Sequence, residues 1–178
     1  MMPSPIRQQG RAGDRAAAGI GADLHLVKFT HLRGQLAQSL QRNKLNALKR
    51  KLHTVAIDVS DPQAVDETAR WIGETQPHLD AVVNSAGGSL MGGVAEISFE
   101  AWSQCLAVDL NSIFLMSKAA LPLLQANRGN IVIVNVASIS GLFADHRMPA
   151  YNTAKGGIIN LTRSLAVDYV PVGIHVRQ

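Results

Sequence analysis

The sequence predicts an α/β domain, a doubly wound parallel sheet with helices on both faces. Two observations carry that expectation. From about residue 54 onward, short β-branched apolar runs alternate with longer stretches of helical periodicity, and such alternation closes into a parallel sheet with helices on both faces. The run Asn130-Ile-Val-Ile-Val-Asn-Val136 is apolar almost throughout, as strands covered on both faces are. A chain of 178 residues, 47% hydrophobic and 17% charged, can bury one large core, so a single domain is expected over residues 1–178.

Taken in order, Thr54 to Val59 reads as a strand. Pro62 to Thr75 reads as a helix, with Asp61 as its cap and Pro62 at its first position. Ala81 to Asn84 is the next strand, and Phe99 to about Gln125 is helical with Pro122 near its end. Asn130 to Val136 is a central strand, Ala150 to Tyr169 a helix, and Gly173 to Val176 a last strand. Trp71 and Trp102 are taken as packing residues. Residues 1–35 give no such pattern and are read as irregular or disordered. Gln35 to Leu52 carries Leu36, Leu40, Leu45, Leu48 and Leu52 at roughly helical intervals.

The chemistry concentrates near the C-terminal end. Tyr151 and Lys155 stand four apart, which on a helix puts a phenol and an ammonium on one face, one turn apart. A free tyrosine titrates near pH 10, about three units above neutrality, so roughly 4 kcal/mol of electrostatic help would let it exchange protons there. Lys155 could supply much of it. By itself the pair reads as a packed ring beside a solvated charge. The apolar run that ends at Ser138 changes this, because the carboxyl ends of strands in open α/β sheets face the ligand crevice.

Asp58 in Ile57-Asp58-Val59, the segment Asn84-Ser85-Ala86-Gly87, Asn111, Ser138, and Tyr151 with Lys155 together resemble the short-chain dehydrogenase/reductase family, from about Val55 to the end. The resemblance implies a Rossmann-like fold and an NAD(P)-dependent oxidoreductase that interconverts a carbonyl and a secondary alcohol, 3-oxoacyl-carrier-protein reductase-like. It implies that Tyr151 is the general acid/base, that Lys155 lowers the tyrosine's pKa and binds the nicotinamide ribose, that Ser138 holds the substrate oxygen, and that Asn111 sustains a water-linked proton path to Lys155. It places Asn84, Ala86 and Gly87 in the wall of the adenosine and ribose pocket. Asp58 and Val59 would lie at the adenine, with Asp58 accepting from the adenine amino group. A turn residue beside a helix capped by Asp61 is the plainer reading of Asp58. Asp145 and His146 lie where family members vary with substrate.

Departures from the family pattern lie at both ends. Gly19-Ile20-Gly21 matches the close of the family's Thr-Gly-x-x-x-Gly-x-Gly turn, whose glycines seat a pyrophosphate on a helix N-terminus. Asp14 and Arg15 stand where the threonine and first glycine belong, and Met1 to Ala12 holds no apolar run for a first strand. Arg42 falls after the place of a second strand, where a guanidinium would pair with a 2′-phosphate and favour NADP. NAD and NADP both stay open. At the other end, Val172 to Gln178 resembles the start of the family's sixth strand, so the resemblance implies a chain truncated there and a sheet incomplete at both ends. Two function classes follow: an active oxidoreductase, or a catalytically impaired remnant or interaction protein of the same fold.

Charge and cysteine usage bound the partners. Residues 1–53 hold ten Lys/Arg against two Asp/Glu, whereas residues 54–178 hold seven against eleven. A basic leader of this kind suits a transit peptide or a nucleic-acid arm, but no aromatics interleave with Lys49-Arg50-Lys51, so a solvated helix face is the preferred reading. The lone Cys105 forms no internal disulfide and suits a reducing cytoplasm, and no metal is implied. The longest apolar runs look strand-sized, too short for a bilayer. The expected partners are a small carbonyl or alcohol substrate and further copies of the chain, as a homodimer or homotetramer, with no nucleic acid and no membrane.

Overall fold

The computed structural model describes residues 55–127 and 129–178. From Ile57 onward they form one compact unit. Helix α1 runs Pro62–Thr75: Asp61 accepts from the Gln63 N–H at 2.9 Å, and Pro62 opens the first turn, where its missing N–H costs nothing. Val65, Thr68 and Ile72, three and four apart, form its buried stripe. Strand β1 is Ala81–Asn84. A loop then leads to α2, Phe99–Leu106, capped by the Ser98 hydroxyl. A five-residue π-turn, Ala107–Asn111, joins α2 to α3, Ser112–Gln125. Strand β2 is Ile131–Asn135, helix α4 is Pro149–Tyr169, and strand β3 is Ile174–Arg177.

The three strands lie in the order β1-β2-β3, all parallel. Ala81 pairs with Val132 and Asn84 with Asn135 on one side, and Ile131 with Ile174 and Val134 with Arg177 on the other. Val82, Ile131, Ile133, Ile174 and Val176 form the core with Ala120 and Leu124 of α3, with Leu165 and Tyr169 of α4 packed against it. The parallel α/β sheet expected from the sequence is therefore present.

Two expectations are corrected. Residues 55–58 are not a strand: Asp58 turns the chain instead, accepting from the N–H and hydroxyl of Ser60 at 2.9 and 2.6 Å, as Asp side chains do at turns. The apolar segments are also not all strand-sized. Phe99–Gln125, read end to end, has the length and mean hydropathy, 1.3, of a bilayer crossing. Here it lies on the sheet and buries Ile113, Met116, Ala120 and Leu124, as a core helix does.

Candidate active site

The site lies where β1 and β2 release the chain at their carboxyl ends. Asn84 and Asn135 stand opposite each other there, both buried. The Asn84 amide donates to Asn135 Oδ1 at 2.8 Å and to Ser117 Oγ at 3.3 Å, and the Asn135 amide donates to Thr162 Oγ1 at 3.0 Å. Buried amides demand such partners, and here the demand ties both strands to α3 and α4. The Asn84 side chain thus faces inward, while Gly87 and Gly88 are exposed beyond it.

Asp109, on the π-turn, is the pivot of the site. It is 1% exposed, yet both of its oxygens accept from the Gly88 N–H, at 3.1 and 3.3 Å, and Oδ1 lies 3.7 Å from Lys155 Nζ. The Cys105 thiol, one turn earlier, donates to Oδ2 at 3.8 Å. Burial raises the Asp109 carboxyl above the ordinary range, against the Gly88 N–H and the Lys155 charge, which lower it. Burial, with the Asp109 charge second, pushes the Cys105 thiol up to about 11. A Cβ on Gly87 would stand 2.5 Å from Asp109 Oδ1 and 3.5 Å from Lys155 Nζ, so only glycine fits between that loop and the ion pair.

Lys155 is itself buried and donates to the Val136 carbonyl at 3.2 Å, just past β2. Its ammonium lies 5.4 Å from the centre of the Tyr151 ring, one turn earlier on α4. Ser138, half-buried, caps a short 3-10 turn, Ile139–Gly141, by accepting from the Ser140 N–H at 3.2 Å. The Ser138 hydroxyl also meets Ser140 Oγ at 3.0 Å, and Ser140 in turn bonds Asp145. The turn is pressed onto α4: a Cβ on Gly141 would come within 2.6 Å of the Lys155 carbonyl. Asn152, beside Tyr151, holds Asp145 from both sides, donating to its carbonyl at 2.9 Å and accepting from its N–H at 3.2 Å.

The fold therefore brings Ser138, Tyr151 and Lys155 to one end of the sheet, with the Ala86-Gly87 loop beside them. Asn111 is not brought in. It is exposed at the end of the π-turn, and the polar group this helix sends to Lys155 is Asp109, two residues earlier. The signal in the sequence was a carboxylate four residues after Cys105, on the same face as Val108 and Ser112 in an otherwise apolar helix. Ser140 was also missed, as a second serine without a motif. Val59 is 1% exposed, its side chain in the core, and the Asp58 carboxylate closes the Ser60 turn. Gly19, Ile20, Gly21 and Arg42 lie outside the described residues.

A model of the short chain dehydrogenase family matches residues 11–178. The chain belongs to the short-chain dehydrogenase family. Meso-2,3-butanediol dehydrogenase of Serratia marcescens is 38% identical over 130 residues, covering 73% of this chain and 51% of the relative. Trans-4-hydroxycyclohexanecarboxylate dehydrogenase of Sinomonas cyclohexanicum is 30% identical over 176 residues, covering 92% and 67%. The crystal structure of a short chain dehydrogenase from Mycobacterium smegmatis superposes with a TM-score of 0.75 at 32% identity, covering 94% of this chain and 68% of that one. The chain spans about half the length of the first curated relatives that it matches. Short-chain dehydrogenases use NAD or NADP. The described residues fit the nicotinamide-ribose end of such a cofactor: Lys155 stands beside the loop after β1, and no atom lies within 4 Å of where a Gly88 Cβ would be, leaving that backbone open to close approach.

Proposed function

We propose that the protein is an NAD(P)-dependent oxidoreductase interconverting a secondary alcohol and a carbonyl. The observation that carries this reading is a phenol one helical turn from a buried, charge-paired ammonium, beside a strand-end serine. The bound nicotinamide supplies hydride acceptance and donation. Tyr151 takes or gives the hydroxyl proton, and the Lys155 ammonium stabilises the charge that builds on the phenol oxygen. Ser138 holds a substrate oxygen. Asp109, rather than Asn111, fixes Lys155 against the Gly87-Gly88 loop. The backbone of Asn84, Ala86 and Gly87 would line the cofactor, with Asp58 and Val59 toward its adenine, while Gly19, Ile20, Gly21 and Arg42 lie outside the described residues.

Relatives named for small secondary alcohols favour that substrate class over a 3-oxoacyl thioester on a carrier protein. Turnover of meso-2,3-butanediol with NAD+ and NADP+ tests the reading. Tyr151→Phe should reduce kcat by about a hundredfold or more while leaving NADH affinity, read by nicotinamide fluorescence, within a small factor. Near-normal turnover in that variant would refute the acid/base role.

The catalytically impaired reading rests on Asp14 and Arg15 at the glycine turn, and a relative 37% identical over 123 residues is named an inactive 2-(S)-hydroxypropyl-CoM dehydrogenase 2. Absence of NADH and NADPH binding would favour it. For the assembled state we propose a cytoplasmic homodimer or homotetramer packed through α2–α3 and α4, which expose Phe99, Phe114 and Val167. Light scattering should give a multiple of 19.1 kDa, and a stable monomer at micromolar concentration would count against it.

A further inference from the structure

The loop after β1 is tied down twice, once on each side of Tyr151. At its near end the Gly88 N–H is held by Asp109, the partner of Lys155, four residues after the phenol. At its far end the N–H of Gly92, itself buried, donates to the Arg147 carbonyl at 2.8 Å, four residues before the phenol. Ser89, Leu90 and Met91, between the two ties, are therefore strung beside the start of α4, with Met91 66% exposed. The far tie is strained. Arg147 has a φ of 55°, the left-handed region that glycine prefers, and among the described residues it is the one non-glycine with a positive φ. Such a conformation persists where the surrounding contacts over-determine it. Here they are the Gly92 N–H on the Arg147 carbonyl and the Glu96 carboxylate, which meets the Arg147 guanidinium and accepts from the Gly93 N–H at 3.2 Å. Helix α4 has no side-chain cap of its own, so this neighbour helps set the approach to its first turn.

We propose that Glu96 and Arg147 are positioning residues that strap the Ser89-Leu90-Met91 segment beside Tyr151 as an apolar wall of the substrate pocket, so that the strap sets substrate affinity without entering the chemistry. The inference rests on the oxidoreductase reading above. An ion pair whose partners are 49% and 48% exposed contributes little to the stability of the whole fold. Its effect is local, because it offsets the strain at Arg147 and so decides how often the far tie is closed. When the tie opens, the wall is lost and apparent substrate affinity falls with the fraction of molecules that keep it. The near tie, at Gly88, is held by Asp109 and does not depend on the strap.

In the full chain with meso-2,3-butanediol and NAD+ or NADP+, Arg147→Ala and Glu96→Ala should each raise KM about three- to fivefold, the effect of one exposed ion pair on the closed fraction. Values of kcat and NADH affinity should stay within a small factor of wild type. Both substitutions open the same strap, so the double variant should be no worse than the worse of the two. Arg147→Gly keeps the carbonyl that Gly92 bonds and removes the strain, and it should recover most of the affinity lost in Arg147→Ala. A guanidinium acting on the substrate by its charge would leave those two variants alike. A readout free of turnover is hydrogen exchange at the Gly92 amide, which should quicken in both alanine variants and stay near wild type in Arg147→Gly. An unchanged KM in the alanine variants, a fall in kcat without a rise in KM, or an Arg147→Gly variant as poor as Arg147→Ala would overturn the proposal. If the diol does not turn over, the oxidoreductase reading fails and the amide decides alone: faster exchange in the alanine variants and not in Arg147→Gly upholds the strap, and unchanged exchange overturns it.

Discussion

At Asp109 and Lys155 a buried carboxylate and a buried ammonium compensate each other, and removing one side leaves the other charge stranded in a low-dielectric interior. Breaking such pairs typically costs about 3–5 kcal/mol. Asp109→Asn keeps an acceptor for the Gly88 N–H but gives up the charge, so a loss toward the lower end of that range is expected by thermal or urea unfolding. Cys105 provides an internal reporter, because it is the one cysteine of the chain. Its thiol is raised from 9.0 to about 11, so it adds stability that is present in full below pH 9 and lost as pH climbs through 11, where the unfolded chain has already released the proton. Asp109 is the second cause of that elevation after burial. Asp109→Asn should therefore lower the thiol's titration midpoint, followed by thiolate absorbance, and move the alkaline loss of stability to lower pH. An unchanged midpoint would show that the carboxylate does not act on this cluster through its charge.

The elements that hold the site touch at glycines, and the contacts are unequal in a way substitutions can read. A Cβ at Gly141 would stand 2.6 Å from the backbone carbonyl carbon and oxygen of Lys155, whereas one at Gly156 would meet only the Gly141 carbonyl at 3.5 Å. Backbone cannot rotate away as a side chain does. Gly141→Ala should thus cost about 1–3 kcal/mol and displace the Ser138 turn, while Gly156→Ala, inside α4, should be neutral or slightly stabilising. Equal effects in urea unfolding would contradict the close packing. Such contacts were not legible in the sequence, whereas helix ends were: Asp61 and Pro62 announce α1, and the β-branched run of β2 announces itself. Phe99–Gln125 was legible as helix, but the π-turn inside it was not, since one extra residue per turn leaves no mark on composition. Asp109, within that turn, is the side chain that meets Lys155, and Asn111 at its end stays exposed. Val55 to Ile57 misled for the opposite reason, because β-branched residues make a strand only where a ladder accepts them.

At the scale of the whole molecule, the family and the parallel sheet were readable because the residues that carry them, from Asn84 to Lys155, sit at strand ends and on one helix turn. The cross-links between elements depend on distances along the chain that no local pattern encodes. The bond between Asn84 and Asn135 spans 51 residues, and that between Asn135 and Thr162 spans 27. The Asn135 side chain is satisfied only when β1, β2 and α4 have all docked, since its oxygen accepts from Asn84 and its amide N–H donates to Thr162, and in a half-assembled core it would be a desolvated polar group. The network is therefore a late checkpoint in folding, penalising compact states in which one element is missing or out of register. Asn135→Ala should leave the refolding rate nearly unchanged and accelerate unfolding, so that in a chevron plot the loss of stability falls almost wholly on the unfolding arm. A slowed refolding arm would instead place the network in the nucleus, where the chain would have to find three distant partners before any of its apolar core had closed.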